Sequence, residues 1–385
     1  MSMRELSQID QITFSDLTQK SLDAEFEGAY PPSGSFFLQQ RTGKKYWYYK
    51  GYDQKDKHQY LKYVGPEADP DVLQRIREFG FFKSGYRVRR ELASKLRAAG
   101  LPSPTRFEGE VLAALTKAGL FRLRAVLVGS LAYQTYSGVL GIRLPDPLMR
   151  TGDLDLAQFF GISQQLDDVA EDVESKLREV DPSFRPLYNP NTPQLAAGFL
   201  SASGYRVEFL TPNRGDRAYE FNLAPMPAFG PGIGAQVLRF LDFAITQPIR
   251  SVVLHGAGVP VTVPAPERYA VHKLIVSTAR GRDSTEKSQK DIAQAGDLIE
   301  AFALTRRDAD LGMAVLEAVD RGSSWRRRVL RASLRLSEQR FSMLSKAVQL
   351  AAELENRDPE AIGLTGGRQK LLQRLAIRSG GGESA

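Results

Sequence analysis

Asp153 and Asp155 stand one residue apart in the run Thr151-Gly152-Asp153-Leu154-Asp155-Leu156. Side chains alternate between the two faces of a strand, so this spacing sends Leu154 and Leu156 into a core and turns both carboxylates to the other side. Like charges held together repel. A hard divalent ion relieves that repulsion, and Mg²⁺ is usually held by one or two carboxylates plus substrate phosphates. Upstream, an apolar run ends in Val126, Leu127 and Val128 and is followed by Gly129 and Ser130. A glycine reaches backbone conformations closed to other residues, and a helix opening at Ser130 offers free N–H groups to a phosphate. Glu208 alternates with Val207 and Phe209 in the run Tyr205 to Thr211, which makes it a third acid presented by a strand. Strand, Gly-Ser corner, helix and Asp-x-Asp strand form an arrangement suited to a nucleotide and a metal.

These residues need a sheet with helices around it, and the surrounding pattern supplies one. Phe107 to Ala118 predicts a helix leading into the strand before Gly129, and Arg206 to Leu210 predicts the strand of Glu208. Ser163 to Val180 reads as one amphipathic acidic helix, and Pro182 to Pro193 as a Pro- and Asn-rich loop near the site. Thr211 to Gly234 reads as a second loop, with Arg214, Arg217 and Asn222 as candidate substrate contacts. Val252 to Val263, interrupted at Gly256 to Gly258, predicts a hairpin. From Pro266 to about Leu375 nearly everything is helical, and Gly380 to Ala385 is expected to be disordered.

On the N-terminal side, residues 1 to 30 read as a helical lead-in capped by Ser15 or Asp16, with Leu17, Leu22 and Phe26 as apolar contacts. Ser35 to Gln39, Lys45 to Lys50 and Gln59 to Val64 predict a three-stranded meander with turns at Thr42-Gly43 and Asp53 to His58. Asp71 to Ala99 reads as helix with a break near Gly80 to Gly85. No internal repeat is evident.

Gly129-Ser130, Asp153-x-Asp155 and the later Glu208 together resemble the nucleotidyltransferase fold of the DNA polymerase beta superfamily. More residues separate Gly129 from Asp153 than in compact members, which suits a bacterial subgroup with a Tyr-containing helix, a loop and then Thr-x-Asp-x-Asp. That subgroup includes defence- and toxin-associated nucleotidyltransferases. Pro266 to Leu274 and Lys287 to Asp291 look like the helical motifs following the active-site sheet there, and the resemblance covers roughly residues 105 to 305. It implies an α+β fold in which Asp153, Asp155 and Glu208 are catalytic and hold two Mg²⁺ or Mn²⁺ ions. Gly129, Ser130, Thr151, Lys273 and Lys290 would contact the nucleotide. An acceptor hydroxyl would attack the α-phosphorus of a nucleoside triphosphate and release pyrophosphate.

Lys273 and Lys290 have a plainer alternative as solvated helix lysines. His272, in the apolar stretch Tyr269 to Val276, reads as a hydrogen-bonded packing residue more than as a base.

Composition narrows the remaining chemistry. The chain has 385 residues, no cysteine and three histidines, so thiolate zinc sites, disulfides and a histidine metal centre are set aside and carboxylate chemistry with a hard ion remains. No apolar run approaches a membrane span, and Met1 to Gln19 does not look like a leader, so the cytoplasm is the expected compartment.

The net charge of +7 is unevenly spread. Arg326, Arg327, Arg328, Arg331 and Arg335 form one basic run, and Arg87, Arg89, Arg90, Lys95 and Arg97 another. Such runs fit contact with a nucleic-acid backbone, with a solvated or acid-paired helix face as the alternative. In the meander, Tyr46, Trp47, Tyr48, Tyr49, Tyr52, Tyr60 and Tyr63 are interleaved with Arg41, Lys44, Lys45, Lys50, Lys57 and Lys62. Aromatic rings beside cations can stack bases, or can bury one side of a small sheet.

The expected division is an N-terminal region at 1–104, a catalytic domain at 105–265, a helical domain at 266–378 and a tail at 379–385. The expected activity is template-independent nucleotidyl transfer that builds short oligonucleotides or extends a nucleic acid, with an effector protein as a possible partner. Nucleotidylation of a protein or small molecule is one alternative. A non-catalytic nucleotide- or nucleic-acid-binding module is another, although all three acids are present.

Overall fold

The computed structural model describes residues 3–23, 33–41, 44–53, 58–68, 70–145, 152–165, 169–213, 222–279 and 285–373. The fold is α+β, built on a mixed sheet. The chain opens with β1 (Arg4–Glu5), α1 (Gln8–Asp23), the meander β2 (Ser35–Arg41), β3 (Lys44–Asp53) and β4 (His58–Pro66), and α2 (Pro70–Ala98). The sheet region holds α3 (Arg106–Lys117), β5 (Val126–Val128), α4 (Gly129–Leu140), β6 (Ile142–Arg143), β7 (Asp153–Ala157), α5 (Phe160–Gln165) and α6 (Val173–Val180). It continues through β8 (Arg185–Asn189), β9 (Thr192–Leu200), β10 (Arg206–Pro212), β11 (Leu223–Pro225), β12 (Gly234–Leu238), α7 (Leu241–Ile245), β13 (Ile249–Val253) and β14 (Val259–Val263). Helices α8 (Pro266–Ser277), α9 (Thr285–Leu304), α10 (Asp308–Asp320), α11 (Ser323–Ser333), α12 (Glu338–Leu354) and α13 (Pro359–Ile362) follow.

The main sheet runs β11-β12-β10-β7-β5, with β9 also on β10 and β8 on β9. One edge of β10 pairs with β7 along five residues, and its other edge is shared by β9 near Glu208 and by β12 near Leu210. Gly198 of β9 lies opposite Glu208, where a Cβ would meet the Val207 carbonyl at 2.0 Å. Only glycine permits that approach.

Period-two alternation separates the two faces of the sheet. Leu127, Leu154, Leu156, Val207 and Phe209 enter the large core beneath α4 and α8. On the other face Val126, Val128, Ala157 and Leu210 are covered by Leu241, Ala244 and Ile245 of α7. Helix α7 is tied down by charge: Asp242 accepts from Arg321, which also bonds Glu317 at 2.9 Å, and Glu317 meets Arg268 of α8 at 2.5 Å.

Several local expectations change. Helix α1 is capped by Ser7, whose Oγ accepts the Asp10 N–H, so Ser15 and Asp16 lie inside it; Leu17 is buried, and Phe26 lies outside the described residues. Helix α2 runs unbroken through Gly80 and Gly85, since a helical glycine costs only about 1 kcal/mol. Ser163 to Val180 is two helices, because the Asp172 side chain accepts the Ser175 N–H and starts α6 afresh. Pro182 to Pro193 carries β8 and the start of β9, joined by a turn in which Asn189 Oδ1 accepts the Asn191 N–H at 2.8 Å. Prolines obscured that strand. The β13–β14 hairpin and the three-stranded meander match the sequence pattern. Thr42-Gly43, most of the Asp53 to His58 turn, and Gly380 to Ala385 lie outside the described residues.

Candidate active site

Strands β7 and β10 run parallel with Asp153 beside Arg206 and Asp155 beside Glu208. Neighbouring strands lie about 4.8 Å apart, so this register puts three carboxylates and the Arg206 guanidinium on one sheet face. Arg206 Nη1 approaches Glu208 Oε1 at 3.9 Å. On its other side β7 pairs with β5, with Val128 opposite Asp155, and β5 ends at the Gly129 corner.

Gly129 is shaped by two constraints. Its φ is 71°, a left-handed conformation that glycine adopts without strain. A Cβ there would stand 2.6 Å from Asp155 Oδ2. Helix α4 starts at Gly129 itself, one residue earlier than expected, and Val128 gives no side-chain cap. The opening N–H groups of α4 therefore lack that side-chain partner beside Asp155, an arrangement that favours anions. Tyr269 of α8 fastens the corner from behind: its hydroxyl lies 3.0 Å from both the Gly129 carbonyl and Gln294 Oε1. Its ring packs against Tyr133 and Tyr136 of α4, and Tyr136 donates to the Pro264 carbonyl at 2.9 Å.

Electrostatics mark Asp155 most strongly. Protein surrounds it closely although it keeps some solvent access, and burial lifts its carboxyl from 3.8 to about 7, with Asp153 and Glu208 adding to the rise. Lys273 and Lys287 act against the shift. Burial and Asp153 also raise Glu208, opposed by Arg206 and Lys287. Burial lowers Lys290, as does Lys273 nearby. Three acids and three lysines thus share one field.

A cleft of about 640 Å³ opens beside this cluster, lined by Gly129, Asp155, Tyr269, His272 and Lys273. Leu241 and Ala244 of α7, Phe240, Arg239 and Arg328 complete much of its wall. Asp153 and Glu208 do not line it. Lys273 lies 2.7 Å from Asp291, with both side chains largely buried, and its ammonium sits over the Tyr269 ring. His272 Nδ1 lies 3.1 Å from the Phe240 carbonyl. Phe240 has a φ of 67°, meets Trp325 edge to face and lies under the Arg328 guanidinium.

The structure therefore gathers Gly129, Asp153, Asp155 and Glu208 together, with Ser130 at the start of α4 and Lys273 and Lys290 close enough to act electrostatically on the acids. Thr151, Arg214 and Arg217 lie outside the described residues. Sequence reading places Lys287 and Tyr269 in helical motifs without giving either a role, although Lys287 shares a helical face with Lys290 three residues on, and it singles out neither Arg206 nor Phe240. The arginine run on and just after α11 serves partly inside the fold. Arg326 bonds the carbonyls of Ala361 and Ile362, and Arg335 bonds the Ser277 carbonyl and Ser288 Oγ. Arg327 and Arg331 stay exposed.

Among the described residues no three His, Asp or Glu side chains stand as a ready metal cage. The donor chemistry nonetheless fits a hard divalent ion: the oxygens are carboxylate, and Asp155 and Glu208 are raised first by burial and then by neighbouring acids, a repulsion that such a cation relieves. No helix among the described residues is long and apolar enough to cross a membrane.

A mixed sheet that presents Asp-x-Asp beside a Gly-Ser helix corner is the arrangement that the resemblance to nucleotidyltransferases implies. Residues 106–320, more than half the chain, match the model of a nucleotidyltransferase family, and the chain belongs to that family. It is a transferase that moves a nucleotidyl group from a nucleotide substrate, and enzymes of this class generally use divalent metals. No curated protein and no solved structure matches the chain.

Proposed function

We propose that Asp153, Asp155 and Glu208 are the catalytic acids and hold two Mg²⁺ or Mn²⁺ ions. In this reading the chain adds nucleotides without a template, building short oligonucleotides or extending a nucleic acid. The in-register pairing of Asp155 with Glu208 carries the reading: it sets the acids side by side on one sheet face, where burial, Asp153 and Glu208 together lift Asp155 to about 7. When bound, the ions lower the pKa of the attacking hydroxyl and neutralise charge on the triphosphate. The chain's own residues position and screen. The α4 N-terminus at Gly129 and Ser130 receives phosphate, and Thr151, outside the described residues, is a further candidate nucleotide contact. Tyr269 holds the Gly129 carbonyl in place, and Lys290 and Lys287 offset the triphosphate charge. Lys273 acts through the field, since its ammonium is engaged by Asp291.

A nucleic-acid acceptor is favoured by the exposed Arg87, Arg90, Lys95 and Arg97 on α2 and by the aromatic and basic residues of the meander. Anti-phage defence or toxin action in the cytoplasm belongs to the same reading, as does an effector protein answering to the product. The catalytic unit would be residues 105–265, flanked by 1–104 and 266–378.

The test is purified protein with Mg²⁺ or Mn²⁺ and each labelled NTP or dNTP, resolved on a denaturing gel. A ladder or an extended RNA supports the proposal. A labelled protein band would move the acceptor to protein, and no product with any nucleotide or added RNA would overturn catalysis.

A further inference from the structure

A second cleft, of about 660 Å³, lies on the other side of α7. The two clefts share walls without sharing a described residue. Leu241, Ala244 and Val128 face the first, whereas Ile245 and Val126 face the second.

The second cleft has its own chemistry. Arg122, Arg124 and Arg250 line it, and no acidic side chain does among the described residues. Gln158, which follows β7 directly, also lines it and is fully buried. Its amide N–H donates to the Leu123 carbonyl, while Oε1 has no partner among the described residues. A buried amide oxygen without a donor is costly, and a ligand or water that supplies one removes the cost.

Backbone strain converges on the same place. Arg124 has a φ of 66° and Gln247 a φ of 53°, and both line this cleft. Non-glycine residues held in that region are strained and gather where a ligand is clamped.

We infer that this cleft is a second ligand site, separate from the carboxylate cluster, for a nucleoside 5′-phosphate, either free or at the end of an oligonucleotide. Guanidinium groups match phosphate through paired N–H donors, which accounts for Arg124 and Arg250. Phe121, Phe159, Ile162 and Pro248 give the cleft an apolar wall that phosphate alone does not need, and Thr246 and Thr262 add hydrogen-bonding groups. The volume suits a nucleotide. Because α7 forms a wall of both clefts, occupation of the second bears directly on the helix that closes the first.

The site stands independently of the carboxylate reading and is tested without turnover. Calorimetric titration of the full chain with ATP in EDTA is compared across wild type, Arg124→Gln/Arg250→Gln, Arg250→Gln and Asp155→Asn, with circular dichroism confirming each fold. The expected result is saturable binding by wild type and Asp155→Asn, with at least about a tenfold loss per arginine removed. Arg250→Gln, an exposed strand substitution, keeps the test open if the double variant does not fold. No binding by wild type, or equal binding by the arginine variants, overturns the proposal. ATP and a 5′-phosphorylated trinucleotide distinguish the two sources by which binds tighter. Inorganic pyrophosphate binding as tightly as both would overturn the nucleoside part.

Discussion

Gly129 and Asp155 approach so closely that a side chain at position 129 would displace the carboxylate: a Cβ there falls 2.6 Å from Asp155 Oδ2. The same residue holds a φ of 71°, which an L side chain enters at a cost of roughly 1–2 kcal/mol. Gly129→Ala therefore combines modest destabilisation with a shifted Asp155. The expected outcome is loss of about 1–2 kcal/mol in urea unfolding and a fall in kcat of about a hundredfold. A variant as active as wild type would show that the corner tolerates a shifted carboxylate.

Asp155 titrates from about 7 in the folded chain and from an ordinary 3.8 when unfolded. Between those values the folded chain keeps a proton that the unfolded chain has released, so stability falls as pH rises through this window and levels off above it. Asp155→Asn carries no such charge. Its stability relative to wild type should therefore climb from pH 4 to pH 7, by about 1.4 kcal/mol for each unit of displacement at most, while turnover disappears. Thermal unfolding across pH, in EDTA, reads the difference. A variant less stable than wild type at pH 7 and equal at pH 4 would reverse the sign.

How much of this was legible in the sequence depends on whether local pattern or distant assembly set each feature. Asp153, Leu154, Asp155 and Leu156 alternate, and so do Val207, Glu208 and Phe209, so the faces of β7 and β10 could be read directly. Their adjacency could not be, although the Gly-Ser corner implied it. Strand β8 was hidden because Pro186 lies within it and Pro190 directly follows it, and the split between α5 and α6 depends on the Asp172 cap. The arginines on and just after α11 read as a surface run, yet Arg326 and Arg335 meet carbonyls on segments remote in sequence. Residues as far apart as Arg124, Gln158 and Arg250 line the cleft behind α7, which no local pattern announces.

Metal dependence should change with pH for the same reason that stability does. A carboxyl with a pKa of about 7 must lose its proton to accept a divalent ion, so binding competes with protonation. Below pH 7 the Mg²⁺ concentration giving half-maximal activity should rise by about tenfold per pH unit, and above pH 8 it should be flat. The Glu208→Gln variant, which removes one source of repulsion on Asp155, should shift the break to lower pH and also abolish turnover. Mn²⁺ binding followed by electron paramagnetic resonance checks this without needing catalysis.

Lys273 and Lys290 look alike in sequence, but the structure gives them different surroundings. Lys273 pairs with Asp291 at 2.7 Å, with their side chains 14% and 3% exposed. Removing one member of a buried pair strands the other charge, at about 3–5 kcal/mol. Lys273 also lowers the Asp155 pKa, so Lys273→Met should both destabilise the fold by that amount and raise the pH at which activity appears. Lys290 has its pKa lowered by burial and by Lys273. Its charge is therefore less welcome in the fold than in water, and Lys290→Met should cost little stability. If it screens the triphosphate, the loss should appear as a raised KM for nucleotide. Urea unfolding and steady-state kinetics on the two variants separate these outcomes. A large stability loss in Lys290→Met with KM unchanged would assign that lysine to packing and leave Lys287 as the cation facing the acids.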